Sequence, residues 1–248
     1  MTALVSVEVL SRRFGGLTAV DAVSFEVETG SIVGLVGPNG AGKSTVFALL
    51  GGSLRPSRGR IRFNGRDVTG WRPERAARAG VCRTFQVMRP FVSMTVFENV
   101  MVGALLRHYT LGSAGKVADH CIELVGLGHK RDANAATLST GQRKRLEMAR
   151  AMATGPRLLM LDEVTGGVDQ RSIPGLMEVI SRLRAEGMTL LVIEHNMRVI
   201  TGLADRIVAL HLGKVIAEGP PSEVMRNKTV VKAYLGGAEL PSGEPHDT

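Results

Sequence analysis

The chain has 248 residues, of which 44% are hydrophobic and 22% charged. That suits one large domain or two intimate subdomains around a real core and excludes wholesale disorder. Two cysteines, Cys82 and Cys121, exclude a disulfide framework and a structural zinc site, and 4% aromatics argue against a base-stacking nucleic-acid platform. The net charge is +8, and the segment Arg55–Arg89 alone carries all of it, with ten arginines against Asp67 and Glu74. Such a patch suits nucleic acid, anionic lipid or an acidic partner, or else is a solvated face.

In chain order, residues 5–9 and 23–27 alternate and predict half-exposed antiparallel strands. Residues 31–36 form an apolar run that ends in a Gly-rich loop, as a buried strand would. A helix is expected over 43–50, and Arg60–Gly65 alternates again into an Asn-Gly turn. From about 95 to 153 the pattern is helical, at 96–106, 117–125 and 141–153. Continuous apolar runs at 158–161 and 189–193 flank a helix at 173–185, and a strand pair follows at 206–211 and 214–218. One closing helix is expected over 222–235, then a polar, disordered tail over 241–248. Strands alternating with helices indicate a parallel α/β core, with an inserted helical subdomain and an antiparallel sheet alongside. No run approaches a membrane span and no signal peptide is expected, which indicates a cytosolic, reduced protein.

Gly37-Pro38-Asn39-Gly40-Ala41-Gly42-Lys43-Ser44 matches G-x-x-x-x-G-K-S between the buried strand and the helix. Glycines let the backbone wrap a phosphate, and the helix start adds its dipole. Lys43 supplies a charge for the β- and γ-phosphates, and the Ser44 hydroxyl can ligate Mg²⁺. Asp162 and Glu163 follow the apolar run 158–161, which delivers both carboxylates to the sheet edge where nucleotide lies. Asp162 can hold Mg²⁺, and Glu163 can act as general base toward the attacking water.

Further along stands Leu138-Ser139-Thr140-Gly141-Gln142, followed by Arg143-Lys144-Arg145-Leu146-Glu147. With Phe14, Gln86 in Arg83-Thr84-Phe85-Gln86, Asp169, and His195 after a strand, this set resembles the ATPase subunit of ABC transporters, in that family's motif order. The resemblance implies an α/β P-loop NTPase fold of the ABC-ATPase type: a RecA-like parallel-sheet core, an antiparallel β subdomain and an inserted α-helical subdomain. Residues 1–240 would form the nucleotide-binding domain, with 1–88 and 156–240 as core and β subdomain and 89–155 as the helical, signature-bearing subdomain. The implied ligands are ATP and Mg²⁺. Phe14 would stack on adenine, and residues 37–44 and Thr45 would hold phosphate. Gln86 would sense Mg²⁺ and link to the membrane partner, and His195 would contact the γ-phosphate. Ser139, Gly141, Gln142 and Asp169 would complete the site of a second chain in a head-to-tail dimer. Thr140 replaces a signature Gly and Val164 the usual Pro, but neither change removes a catalytic group.

Residues 12–20, Arg83–Gln86, 94–103 and the ending Val230-Val231-Lys232-Ala233-Tyr234-Leu235-Gly236 are similar to the branched-chain amino acid importer subgroup, whose pattern urea, amide and aromatic-acid importers share. The implied partners are a second ATPase subunit, two transmembrane permease subunits and a solute-binding protein. Nucleic acid is not expected, and the implied location is the cytoplasmic face of the membrane.

Overall fold

The computed structural model describes residues 3–84 and 90–234. Two sheets organise it. Strands β1 (Ala3–Phe14) and β2 (Leu17–Glu28) form an antiparallel hairpin. β4 (Arg58–Phe63) pairs the other edge of β1, and the short β5 (Arg66–Asp67) returns along β4. The turn between them is Asn64-Gly65, both at positive φ (51° and 74°), as the Asn-Gly signal predicts.

The second sheet combines β3 (Ile32–Val36), β6 (Val81–Arg83), β7 (Leu158–Asp162), β8 (Thr189–Ile193), β9 (Arg206–His211) and β10 (Lys214–Gly219) in the order β10-β9-β3-β8-β7-β6. Its neighbours are parallel except the β9–β10 hairpin. The central strands are buried on both faces, which explains their unbroken apolar runs. Val33, Leu35, Leu158, Met160, Leu191 and Ile193 face a core shared with the antiparallel sheet and helix α1 (Lys43–Leu50). The alternate residues Ile32, Leu159, Leu161, Leu190 and Val192 face the helical layer. Gly34 lies on that second face, where an added Cβ would strike Ile200 of α7 (Met197–Leu203), so glycine there lets the helix approach the strand.

α2 (Pro73–Ala79) leads into β6. The helical layer holds α3 (Val96–Ala104), α4 (Leu111–Leu124), α5 (Thr140–Ala153) and α6 (Ile173–Ala185). α3 begins with a reciprocal cap between Thr95 and Glu98. α4 starts six residues earlier than its apolar period indicates, because Thr110 caps it through Ser113 and Gly112 and Gly115 conceal the first turns. The single closing helix expected over 222–235 is two helices, α8 (Pro221–Val224) and α9 (Lys228–Tyr234). Asn227 is the physical reason: its side-chain oxygen accepts from the N–H groups of Thr229 and Val230, starting a new helix instead of continuing the old one. Residue 235 and the tail at 241–248 lie outside the described residues.

Candidate active site

β3, β7 and β8 end together. The register pairs Leu35 with Ile193 and Asp162 with Ile193, so the residues that follow each strand meet at one edge of the sheet. That edge assembles the loop 37–45, Asp162, Glu163 and His195.

The loop is pressed onto its own scaffold. Gly37, Gly40 and Gly42 take φ values of 149°, 78° and 103°. A Cβ on Gly37 would run into the Leu210 carbonyl of β9, and one on Gly42 into the Ala19 carbonyl of β2. Glycine is therefore required at 37 and 42 by both space and conformation. Lys43, only 6% exposed, turns its ammonium back to donate to the carbonyls of Gly37 (2.7 Å) and Pro38 (2.9 Å). Burial pushes its pKa below the usual lysine value, against the opposing pull of Glu163 and Asp162. α1 carries no acidic residue in its first turn and no side-chain cap. Among the described residues, the backbone N–H groups of Lys43, Ser44 and Thr45 have no partner. Three open donors, a helix dipole and a lysine form a site for a polyanion. Asn39, Gly40 and Ser44 are exposed at its mouth, with Pro38 half-buried and Ala41 buried behind it.

Asp162 continues the alternation of Leu158 and Met160, so its carboxylate enters the layer that holds α1. It is 2% exposed, and the Arg83 guanidinium donates to its Oδ2 at 2.6 Å. Its N–H donates to the Thr84 hydroxyl at 3.2 Å. Glu163 breaks the strand by adopting φ 49°, in the left-handed region that costs a non-glycine residue energy. Several contacts hold it there. Its N–H donates to the Ile193 carbonyl, the buried Lys144 ammonium donates to its carbonyl at 2.9 Å, and His195 Nε2 lies 2.9 Å from its Oε1. Among the described residues no three His, Cys, Asp or Glu side chains converge as a metal cage. The Ser44 hydroxyl and Asp162 carboxylate are hard oxygen donors, the type Mg²⁺ uses when phosphates complete its shell, so these residues fit that ion.

A second group lies at the start of α5. Ser139 caps the helix by accepting from the Gln142 N–H at 3.3 Å, while the Gln142 side chain accepts from the Ser139 N–H at 3.0 Å. Thr140 is the first helical residue. Gly141 rests against Ser172 and Val168, where a Cβ would make ordinary contacts. Asp169 closes the turn before α6 by accepting from the Ser172 N–H and hydroxyl (3.1 and 2.7 Å), which lowers its carboxyl pKa. Among the described residues, no hydrogen bond joins Ser139, Gly141 or Gln142 to the loop 37–45. Phe14 stands at the β1–β2 tip, 43% exposed, with the Arg12 guanidinium 4.7 Å from its ring centre. Gln86 lies outside the described residues.

Four groups at this edge were not among the expected site residues: Arg83, Lys144, Thr165 and Glu194. A charge directly after the apolar residues 190–193 of β8 was the available signal for Glu194. Lys144 sits among charged helix residues and carried none.

The family described as "ABC transporter" matches residues 20–166, and "Branched-chain amino acid ATP-binding cassette transporter" matches residues 214–239. The chain belongs to the ABC transporter family, as one of its ATP-binding cassettes. It is 40% identical to the high-affinity branched-chain amino acid transport ATP-binding protein BraF of Pseudomonas aeruginosa, across 95% of this chain and 98% of that protein. It is 39% identical to the corresponding protein LivG of Escherichia coli K12, with the same coverage. In fold it matches the ADP conformation of MJ1267, an ATP-binding cassette of an ABC transporter, with a TM-score of 0.87, 31% identity, and 95% and 100% of the two chains covered.

Proposed function

We propose that this chain is the ATP-hydrolysing subunit of an importer for branched-chain amino acids. It pairs with a second ATPase chain around bound ATP, docks on two permease subunits at the cytoplasmic face of the membrane, and serves a solute-binding protein through them. The observation that carries the hydrolytic role is the convergence of Lys43, Asp162, Glu163 and His195 beside three open N–H donors. The substrate class is supported by the match at residues 214–239 and the identity to BraF and LivG.

In this reading the loop 37–45 binds the β- and γ-phosphates through its N–H groups and Lys43. The Glu163 carboxylate takes a proton from water as that water attacks the γ-phosphorus in line, and the bond from the γ-phosphorus to the oxygen it shares with the β-phosphate breaks, so that ADP leaves. His195, already 2.9 Å from that carboxylate, fixes its orientation and meets the same phosphate. Ser44 and Asp162 would hold Mg²⁺, which supplies charge neutralisation on the phosphates when bound. Gln86 would complete that shell, Phe14 would stack on adenine, and Ser139, Gly141, Gln142 and Asp169 would close over the ATP of the paired chain.

The test is uptake by the reconstituted complex of labelled leucine, urea and benzoate. ATP-driven leucine uptake that vanishes in Lys43→Ala supports the whole reading. Uptake of urea or benzoate alone keeps the motor and moves the substrate class. ATPase activity indifferent to permease subunits would overturn the transport role.

A further inference from the structure

The segment after β7 and the segment after β8 are joined more tightly than the site chemistry requires. The Glu163 N–H donates to the Ile193 carbonyl at 2.9 Å, and His195 meets Glu163 Oε1. Between these two links lies a third. Glu194 is 2% exposed, and both of its carboxylate oxygens engage one residue: the Thr165 N–H donates to Oε1 at 2.7 Å, and the Thr165 hydroxyl donates to Oε2 at 2.9 Å. Among the described residues no ion pair reaches Glu194. Burying a carboxylate without an ion-pair partner is unfavourable, and an apolar side chain at 194 would avoid that desolvation.

Thr165 opens the turn that runs to Asp169 and Ser172. In that turn the Gly166 N–H donates to the Glu163 carbonyl and the Val168 N–H to the Thr165 carbonyl. Gly141 of α5 rests on its far end at Ser172. Glu163, at φ 49°, holds a conformation that its surroundings must impose. We infer that Glu194 is a positioning residue, whose buried carboxylate locks residues 163–165 to 193–195, so that the Glu163 carboxylate and the turn beneath α5 are set as one unit. The inference rests on Glu163 being the general base. Glu194 touches no reacting atom. It acts by fixing where Glu163 and His195 stand, and a misplacement of about 1 Å at such a group costs on the order of 100-fold in rate.

Glutamine is the informative substitute. Its oxygen accepts from the Thr165 N–H and its amide donates to the Thr165 hydroxyl, which can also accept, so the clamp survives without the charge. The experiment compares Glu194→Gln, Glu194→Ala, Thr165→Val and the pair Thr165→Val/Glu194→Ala, with Glu163→Gln as reference, by steady-state ATP hydrolysis of the full chain in its assembled transporter. Glu194→Ala is expected to lower kcat by about 10- to 100-fold with KM for ATP within about twofold, because the phosphate loop is untouched. Thr165→Val, which keeps the N–H link and the fold, lowers kcat less. The pair loses no more than Glu194→Ala alone, and Glu194→Gln recovers most of the loss. A Thr165→Val kcat equal to wild type, a loss shared equally by kcat and KM, or additive effects in the pair would overturn the inference. Normal turnover by Glu163→Gln would instead remove the general base, whatever Glu194 does.

Discussion

Two helix starts in this molecule have the same dipole and different caps. α1 begins after a left-handed glycine with no side-chain cap, so Lys43, Ser44 and Thr45 keep open N–H donors beside a buried ammonium. α5 begins with Ser139 and Gln142 bonded to each other, which satisfies their own N–H groups and, among the described residues, leaves those of Thr140 and Gly141 without a partner. Orphan donors at a helix end are satisfied by side chains, water or ligand. At α1 the fold leaves the whole first turn for a ligand, and at α5 a side-chain cap takes part of it. The open donors of the loop 37–45 are therefore all in place on folding, whereas at the start of α5 the cap takes some of the donors and leaves those of Thr140 and Gly141.

The largest expected effect tests the side of the site that holds the loop 37–45. Glu163→Gln keeps the shape and a hydrogen bond to His195 but removes the basic oxygen. We expect kcat to fall by roughly 10²- to 10⁴-fold, the usual worth of a general base, with ATP affinity nearly unchanged. Single-turnover phosphate release beside equilibrium nucleotide binding reads both. Turnover at the wild-type rate would mean that the Lys43 side of the site carries the chemistry without a carboxylate base.

Next in size is Lys43→Ala. It removes one charge-assisted contact to phosphate, worth about 1.5–3 kcal/mol, or roughly 10- to 100-fold in nucleotide affinity. It also strips the Gly37 and Pro38 carbonyls of their donor, so the loop itself loosens. Calorimetric titration with ATP measures the change. An unchanged affinity would show that the three open N–H groups bind the phosphates unaided.

Much of this contrast was legible in the sequence. The G-x-x-x-x-G-K-S run, the apolar strands and the carboxylates at 162–163 fall where period and motif place them, because a buried parallel strand is apolar throughout and its loop chemistry is local. The capping box at Ser139 follows the S-x-x-Q spacing. The misses share a cause. The α8–α9 break depends on Asn227 choosing a local bond over a helical one, which the apolar period does not encode. Lys144 and Glu194 are charged residues whose partners are 19 and 29 positions away, at Glu163 and Thr165, and only folding brings them together. The Arg83–Asp162 pair likewise spans 79 positions.

A smaller effect separates cap from signature. Ser139→Ala removes the α5 cap and should cost about 1 kcal/mol of stability, read as a lowered midpoint in urea. Ser139→Asp restores a good cap and the stability but places a carboxylate where the paired chain's γ-phosphate would arrive. We expect Ser139→Asp to unfold like wild type yet fail to form the ATP-dependent dimer in the Glu163→Gln background, as read by light scattering. If it dimerises normally, the start of α5 is only a helix cap and the two helix starts differ in structure alone.

The smallest effect uses the two cysteines as reporters, one in each region. Cys82 lies in β6 beside Arg83, and Cys121 is buried in α4 of the helical layer. Burial raises both thiol pKa values, that of Cys121 to about 11. Neither should react with a thiol reagent at pH 8 until the fold opens, since the thiolate is the reactive form. The sign of the stability term follows. The folded chain keeps a proton that the unfolded chain loses near pH 9, so this contribution is whole below pH 9. It falls as pH rises toward 11, by up to about 1.4 kcal/mol per unit for Cys121. Bound ATP stabilises the region it touches, so pulsed alkylation with ATP present should slow at Cys82 more than at Cys121. Equal slowing at both would mean that the sheet edge and the helical layer open together, and that the open start of α1 is not a local property of its strand edge.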